Sequence, residues 1–240
     1  MQKQVRHPRR TPEPPATRES AIKQATDNVR VALGKSSKAK GFVGKTGRRL
    51  QVDIPLFDET SKAMAELCRD LLKSLPRDIA KQVSVGCADV DIALEASASL
   101  ANHVFVLDDD MDPGQLSPIL LLAAPSLDQI EEVRDLLQRS KGSAVIILNA
   151  GWTPQQISQL SPQLRNALQG FQQVYAFLPL GFKGFLKTTE GALVQSGDSA
   201  WQIFLKEVEP SGDLQVPVCS SQFAAGAQPV ITCGQGLFAI

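Results

Sequence analysis

Apolar residues recur along the chain with two different spacings, and the spacing changes from one segment to the next. Over 18–33 they recur every three to four positions, which predicts an amphipathic helix that ends at Gly34. Over 48–55 they alternate with polar residues and stop at a proline, which predicts a half-buried strand. The helical spacing then returns after Asp58, which we expect to cap a helix that continues to Leu75. The chain therefore begins as an alternation of helices and strands.

The same alternation continues through the middle of the chain. Helices are predicted over 89–100 and 127–141, and strands over 82–87, 104–107, 119–123 and 144–148. The last three strands are near-continuous apolar runs, which are typical of strands covered on both faces. Ser126 and Gln129 fit a capping box at the start of the helix predicted over 127–141. This β-α-β unit predicts a parallel sheet with a right-handed crossover.

The pattern changes after Gly151. A glutamine-rich helix is predicted over 154–169, and turns rich in Gly, Pro and Ser then separate four strand-like segments: 171–178, 184–187, 192–195 and 201–208. Such a series predicts an antiparallel extension of the sheet. The predicted fold class is α/β, a three-layer sandwich with a mixed, partly parallel, Rossmann-like sheet and an antiparallel C-terminal extension. We expect a disordered basic arm at 1–17, one α/β domain at 18–208 and a weakly ordered tail at 209–240.

Charge is unevenly distributed, although the 240 residues hold 25 basic and 25 acidic side chains. Residues 1–50 carry 13 basic and three acidic residues, so the remainder of the chain is acidic. A basic arm of this kind is typical of a solvated tail, of a contact with an anionic partner such as a membrane surface, or of a targeting remnant. The longest apolar run, 119–124, is far shorter than the ~20 residues of a spanning helix. No apolar stretch that would predict a secretory signal follows the N-terminal basic residues.

The cysteines and histidines predict no metal, cofactor or catalytic site. The four cysteines, at positions 68, 87, 219 and 233, form no CxxC pair and are expected to be reduced and mostly buried. His103 is the only histidine outside the N-terminal arm, so any Ser–His–Asp or Cys–His site would depend on it. It opens an apolar strand, where we expect a structural role.

Two features that could bind nucleotides or nucleic acids stand in unsuitable contexts. Residues 39–46 (AKGFVGKT) satisfy a relaxed phosphate-loop pattern, in which alanine replaces the first glycine. A true P-loop follows a strand and leads into a helix, whereas this segment follows a basic loop and leads into a strand. We therefore interpret them as a basic loop. The aromatic residues Phe185, Trp201 and Phe204 lack the interleaved basic residues of an RNA-stacking surface and are expected to pack in the core. No nucleic acid partner is predicted.

Several polar residues directly follow predicted strands. Asp108 opens the acidic run 108–112, which lacks the glycine and distal glutamate of an EF-hand loop and is interpreted as a solvated turn. Pro55, Ser126 and Asn149 follow other strands. Because the carboxyl ends of parallel strands share one edge of a sheet, these positions predict a strand-end cleft. Asp108, Ser126 and Asn149 are the candidate ligand-binding residues, with a simple helix cap as the alternative for Ser126.

Five short segments stand in a fixed order within residues 18–208. They are GRRLQVDIP (47–55), LLAAPS (121–126), VIILN (145–149), YAFLPLG (175–181) and WQIFL (201–205). Together with the N-terminal helix, they resemble a domain of unknown function found in chloroplast and cyanobacterial proteins. Its members include the low photosystem II accumulation proteins, and the domain is also appended to some plastid proteins named as adenylate kinases.

The resemblance implies a photosynthetic source and a chloroplast location, in the stroma or at the thylakoid. It implies a non-catalytic assembly or interaction factor related to photosystem II biogenesis, with a protein partner, and it assigns no catalytic residue. The alternative is a small-molecule or nucleotide-binding enzyme that uses the strand-end cleft.

Overall fold

The computed structural model describes most of the region from residue 14 to residue 208. The described ranges are 14–34, 47–56, 58–108, 116–140, 144–183, 188–205, 207–208, 214–215, 218–223, 230–232 and 237–239. Several predictions fall outside them: most of the arm 1–17, the phosphate-loop-like segment 39–46, the acidic residues 109–112, the strand 184–187 and much of the tail 209–240.

Seven α-helices and one 3-10 turn are present in the described ranges. The helices are α1 (Arg18–Ala32), α2 (Ser61–Ser74), α3 (Arg77–Ala80), α4 (Val90–Ser99), α5 (Ile130–Arg139), α6 (Pro154–Gln159) and α7 (Pro162–Gln169), and the 3-10 turn Leu127–Gln129 leads into α5. Side chains cap most of them, and the Asp89 carboxylate accepts a 2.8 Å hydrogen bond from the Ile92 N–H at the start of α4.

Nine of the thirteen described strands form one sheet. The strands are β1 (Arg49–Asp53), β2 (Val83–Cys87), β3 (Val104–Val106), β4 (Ile119–Ala123), β5 (Ala144–Leu148), β6 (Gln172–Lys183), β7 (Thr188–Ser196), β8 (Trp201–Leu205), β9 (Glu207–Val208), β10 (Leu214–Gln215), β11 (Val218–Phe223), β12 (Val230–Thr232) and β13 (Leu237–Ala239). The order in the main sheet is β11-β8-β7-β6-β1-β5-β4-β2-β3. Pairing is parallel from β6 through β3 and antiparallel from β6 through β11. The predicted mixed sheet with an antiparallel C-terminal extension is confirmed.

Helices cover both faces of the parallel part of the sheet. On one face α1, α2 and α4 pack in a core with alternate strand residues such as Leu121 and Ile146. On the other face α5 and α7 pack against the intervening residues, such as Leu120 and Val145. These two apolar cores, one on each side of a fully buried β4 and β5, confirm the predicted three-layer sandwich.

The connections place a crevice at the carboxyl ends of the strands. Helices α2 and α4, which follow β1 and β2, lie on one face, whereas α5 to α7, which follow β4 and β5, lie on the other. The neighbouring strands β1 and β5 therefore send their connections to opposite faces. An open α/β sheet forms its ligand crevice at such a divergence.

Two element predictions are corrected. The helix predicted over 154–169 is two helices, because Pro162 has no N–H to continue α6 and instead begins α7, where Ser161 caps the N-terminus. The cap of α2 is Thr60 and not Asp58, since the Thr60 hydroxyl accepts from the Ala63 N–H at 3.2 Å. Near the C-terminus, β11 pairs with β8 in the main sheet.

Candidate functional site

A cleft of about 960 Å³ opens at the carboxyl ends of the parallel strands. The segments that follow β1, β2, β4 and β5 form its floor, and side chains of β6, β7 and β8 form one wall. This is the strand-end cleft that the sequence predicts. Its size is that of a typical pocket for a small organic ligand or a short peptide segment.

Asn149 lines the cleft, but its side chain is already used within the protein. Its Oδ1 accepts a 2.8 Å hydrogen bond from the Ile54 N–H, and its Nδ2 donates a 2.7 Å bond to the Ile54 carbonyl. Asn149 has a φ of 52°, in the left-handed region that asparagine tolerates better than most residues. The carboxamide thus takes the place of a peptide group and joins the ends of β5 and β1.

Ser126 also lines the cleft and lies in the predicted capping box. The Gln129 carboxamide oxygen accepts from the Ser126 N–H at 3.1 Å, while its Nε2 donates to the Ala88 carbonyl at the end of β2. Ser126 further forms an isolated parallel bridge with Gly151. A Cβ on Gly151 would lie 3.2 Å from the Pro125 carbonyl oxygen, so this close approach favours glycine.

Asp108, the third predicted site residue, does not line the cleft. It follows β3, which is the edge strand of the sheet beyond β2. The structure therefore brings Ser126 and Asn149 together and leaves Asp108 apart. His103 is also outside the cleft, with its ring 5.8 Å from that of Phe105, centroid to centroid.

Asp53 is an acidic residue of the cleft that the sequence does not predict. Its Oδ2 accepts from Gln51 Nε2 at 3.0 Å and from Gln173 Nε2 at 2.9 Å, and all three side chains line the cleft. Loss of solvent raises the pKa of the Asp53 carboxyl, and the hydrogen bonds from Gln173, Gln51 and the Ala150 backbone only partly oppose this. The available signal is the alternation in β1, where the polar residues Gln51 and Asp53 share one face of the strand. The half-buried strand predicted from the sequence would expose that face to solvent, whereas it lines the cleft.

The wall beyond Asp53 is apolar. Asp53 pairs with Ala176, and Leu178 pairs with Leu193, so the register puts Asp53, Leu178 and Leu193 on one face of the sheet. Trp201 extends this face on β8 and lines the cleft, whereas the sequence predicts that it packs in the core. Trp152, on the loop after β5, also lines the cleft. Both tryptophans of the chain thus line the cleft.

The charge of the cleft is negative. Carboxylates of Asp53, Glu59 and Asp89 line it, and no lysine, arginine or histidine is present among its described lining residues. A phosphate group would meet repulsion from these carboxylates, and none of the described lining residues supplies a compensating cation. The described residues also hold no group of three or more His, Cys, Asp or Glu side chains suited to a metal ion.

None of the described helices is long and apolar enough to span a bilayer. No curated protein matches the chain. Among solved structures, the flagellar accessory protein FlaH from Methanocaldococcus jannaschii is similar at 10% identity and a TM-score of 0.32, over 81% of this chain and 96% of that chain. A similarity at that level carries no functional argument.

The family comparison covers most of the sequence. The family model described as a domain of unknown function (DUF1995) matches residues 15–224. This range includes the whole parallel sheet, the strand-end cleft and β11 of the antiparallel extension. The chain therefore belongs to the DUF1995 family of domains of unknown function.

Proposed function

We propose that this protein is a non-catalytic binding factor that takes its ligand, or a segment of its protein partner, in the strand-end cleft. The observation that supports this is the pairing of the cleft's polar side chains within the protein itself. Asn149 is bonded to the Ile54 backbone, and the Ser126 hydroxyl lies 3.3 Å from the Gln129 carboxamide oxygen. Among the described residues, no base accepts a hydrogen bond from the Ser126 hydroxyl that would activate it as a nucleophile. The large, predominantly apolar cleft is suited to recognition.

The resemblance to the low photosystem II accumulation proteins leads us to propose a chloroplast setting and a partner in photosystem II assembly. The test is affinity capture from detergent-solubilised thylakoids, with photosystem II subunits identified by mass spectrometry. Leu178→Glu places a charge in the apolar wall of the cleft and should abolish recovery of the subunits. Leu94→Glu is the matched control, because Leu94 is 64% exposed on α4 and does not line the cleft.

Each outcome of this capture experiment decides a separate part of the proposal. Equal recovery of the subunits by wild type and both variants would show that the contact lies outside the cleft. Failure of all three proteins to recover any subunit would contradict the role in photosystem assembly.

The basic N-terminal arm supports a second, electrostatic contact with anionic lipid or an acidic protein surface. Contacts of exposed charges weaken with salt, since the Debye length is about 8 Å at physiological ionic strength. Deletion of residues 1–17 should therefore reduce thylakoid binding at low salt and have little effect at high salt. Salt-independent binding would contradict a contact through the arm.

Asp53 favours the enzymatic alternative, because a desolvated carboxyl in a cleft is a candidate acid or base. The test is incubation of the purified protein with a metabolite extract, followed by mass spectrometry. Turnover of a metabolite that Asp53→Asn abolishes would replace the binding proposal with an enzymatic one. The binding proposal expects no turnover by either protein.

A further inference from the structure

We propose that the strand-end cleft binds an amphipathic cation, with an ammonium or guanidinium head at Asp53 and an apolar body along the wall formed by β6, β7 and β8. This inference rests on the proposed binding function and specifies its ligand chemistry. It is carried by the arrangement of the carboxyl, the amides and the apolar residues around a single cleft.

The polar end of the cleft is arranged for a hydrogen-bond donor. Gln51 and Gln173 both donate from Nε2 to Asp53 Oδ2, and the Ala150 backbone donates to the same carboxylate. A carboxylate has about four acceptor positions, so it can still accept from a ligand, as can the two carboxamide oxygens. The donors around Asp53 are neutral amides, and no basic side chain of the described residues forms an ion pair with it. A half-buried carboxylate without a cationic neighbour gains more from a bound cation than an exposed one does.

The remaining charges of the cleft act in the same direction. Glu59 and Asp89 add negative potential where the segments after β1 and β2 line the cleft. The Asp89 carboxylate accepts a hydrogen bond from the Ile92 N–H, which holds its charge at the edge of the cleft. An anionic ligand of the same shape would meet three carboxylates and no described basic residue.

The apolar wall sets the shape of the rest of the ligand. Leu178, Leu193 and Trp201 continue the face of Asp53 across three further strands. With neighbouring strands ~4.8 Å apart, Trp201 lies about 14 Å from the strand of Asp53. One head group cannot contact both, whereas an elongated ligand can. The Trp201 indole at the apolar end can also pack against a flat or an aliphatic group.

This chemistry has two natural sources, a free long-chain amine and a Lys or Arg side chain flanked by apolar residues in a partner protein. The probes are octylammonium and the acetylated, amidated peptide Leu-Lys-Leu. Octanol and octanoate have the same chain with a neutral or an anionic head. Because both tryptophans of the chain line the cleft, intrinsic fluorescence reports binding there.

In the wild-type protein we expect octylammonium to produce a saturable change in fluorescence, with an affinity at least tenfold higher than that of octanol. Octanoate should produce no change. Asp53→Asn should weaken octylammonium binding at least tenfold, and Asp53→Glu should restore part of the loss. Asp108→Asn is the matched control, because it removes the same charge at the end of β3 outside the cleft, and it should leave binding unchanged. Tighter binding of the peptide than of octylammonium would identify a partner side chain as the source, and the reverse would identify a free amine.

Equal affinity for octylammonium and octanoate would overturn the inference, as would octylammonium binding that Asp53→Asn leaves intact. If Asp53→Asn does not fold, the comparison of the three head groups on the wild-type protein decides alone. The two proposals can also fail separately. If Leu178→Glu abolishes capture of photosystem II subunits but the cleft shows no preference for the ammonium head, this inference is overturned and the proposed binding function stands.

Discussion

At the scale of single residues, Asn149 illustrates how one side chain holds the cleft together. Replacing it with glycine keeps the left-handed backbone and removes both hydrogen bonds to Ile54. We expect Asn149→Gly to lower the free energy of unfolding by about 2 kcal/mol, since each bond contributes roughly 1 kcal/mol. Asn149→Ala should cost about 1 kcal/mol more because alanine is strained at this φ. Urea unfolding followed by circular dichroism measures both values.

Equal stabilities of the glycine and alanine variants would show that backbone strain at position 149 is relieved in solution. A loss well below 1 kcal/mol in both would show that water replaces the bonds to Ile54.

A second prediction at this scale concerns Asp53 and pH. Its pKa is raised in the folded protein, chiefly by desolvation, so the folded state holds the proton to a higher pH than the unfolded chain does. The contribution of Asp53 to stability is therefore fully present at acid pH and is lost as pH rises from the ordinary aspartate pKa through the raised one. Asp53→Asn lacks this proton and should remove that loss.

The measurement is the difference in free energy of unfolding between wild type and Asp53→Asn across pH 3 to 8. We expect wild type to lose stability relative to the variant as pH rises, by at most about 1.4 kcal/mol per pH unit for one proton. Asp108→Asn serves as the control. A difference that stays constant with pH would contradict the desolvated carboxyl.

The sequence predicted some cleft residues and missed others for identifiable reasons. Ser126 and Asn149 follow parallel strands, and the rule that such ends share one edge placed them together. The same rule failed for Asp108, because the order of strands in the sheet cannot be read from the chain and β3 is at the edge. Asp53 and Trp201 lie on strand faces that line the cleft. The alternation of apolar and polar residues distinguishes only a core face from a solvent face, so it does not identify a face that lines a cleft.

At the scale of elements, the pairing of β2 and β3 depends on a missing side chain. Gly86 lies opposite Phe105, and a Cβ on Gly86 would come within 2.7 Å of the Phe105 ring. We expect Gly86→Ala to lower the free energy of unfolding by about 1–3 kcal/mol, the usual cost of overpacking. Chemical denaturation checks the value.

The double variant Gly86→Ala with Phe105→Leu isolates this contact, because the smaller side chain makes room for the added methyl group. Its loss should be smaller than the sum of the single losses by at least 1 kcal/mol. Additive losses would show that the ring moves aside without cost.

Helices and strands were largely predictable because the two apolar spacings are distinct. The strands β4 and β5 and the helix between them match the prediction closely, since long apolar runs and a capping box define them. The prediction of one helix over 154–169 was wrong because apolar spacing persists across Pro162, where the backbone cannot continue hydrogen bonding. The spacing of apolar residues shows which face of a segment is buried, but it does not show where a proline lacks the backbone N–H that a continuous helix needs.

At the scale of the whole molecule, two buried thiols report whether the fold is intact. Cys68 and Cys87 are free and fully buried, as the sequence predicts. Burial raises the pKa of both thiols, that of Cys87 to about 12 with a further contribution from the charge of Asp89. In a protein with Cys219→Ser and Cys233→Ser, neither thiol should react with Ellman's reagent at pH 8 in the native state.

Both thiols should react stoichiometrically in urea, and their rates below the unfolding midpoint should follow the opening of the whole domain. Rapid reaction of Cys87 alone in native buffer would show that β2 opens locally, separately from the rest of the sheet.

The cleft is assembled from parts of the chain that are far apart, from Asp53 on β1 to Trp201 on β8, and this has a consequence for how the protein folds. A nascent or half-folded chain has no site, because the site is complete only when the last of these strands has joined the sheet. Any ligand or partner of the cleft therefore binds the finished molecule alone, which slows unfolding without speeding folding. A bound ligand is therefore expected to lengthen the lifetime of the folded protein and to leave its rate of folding unchanged.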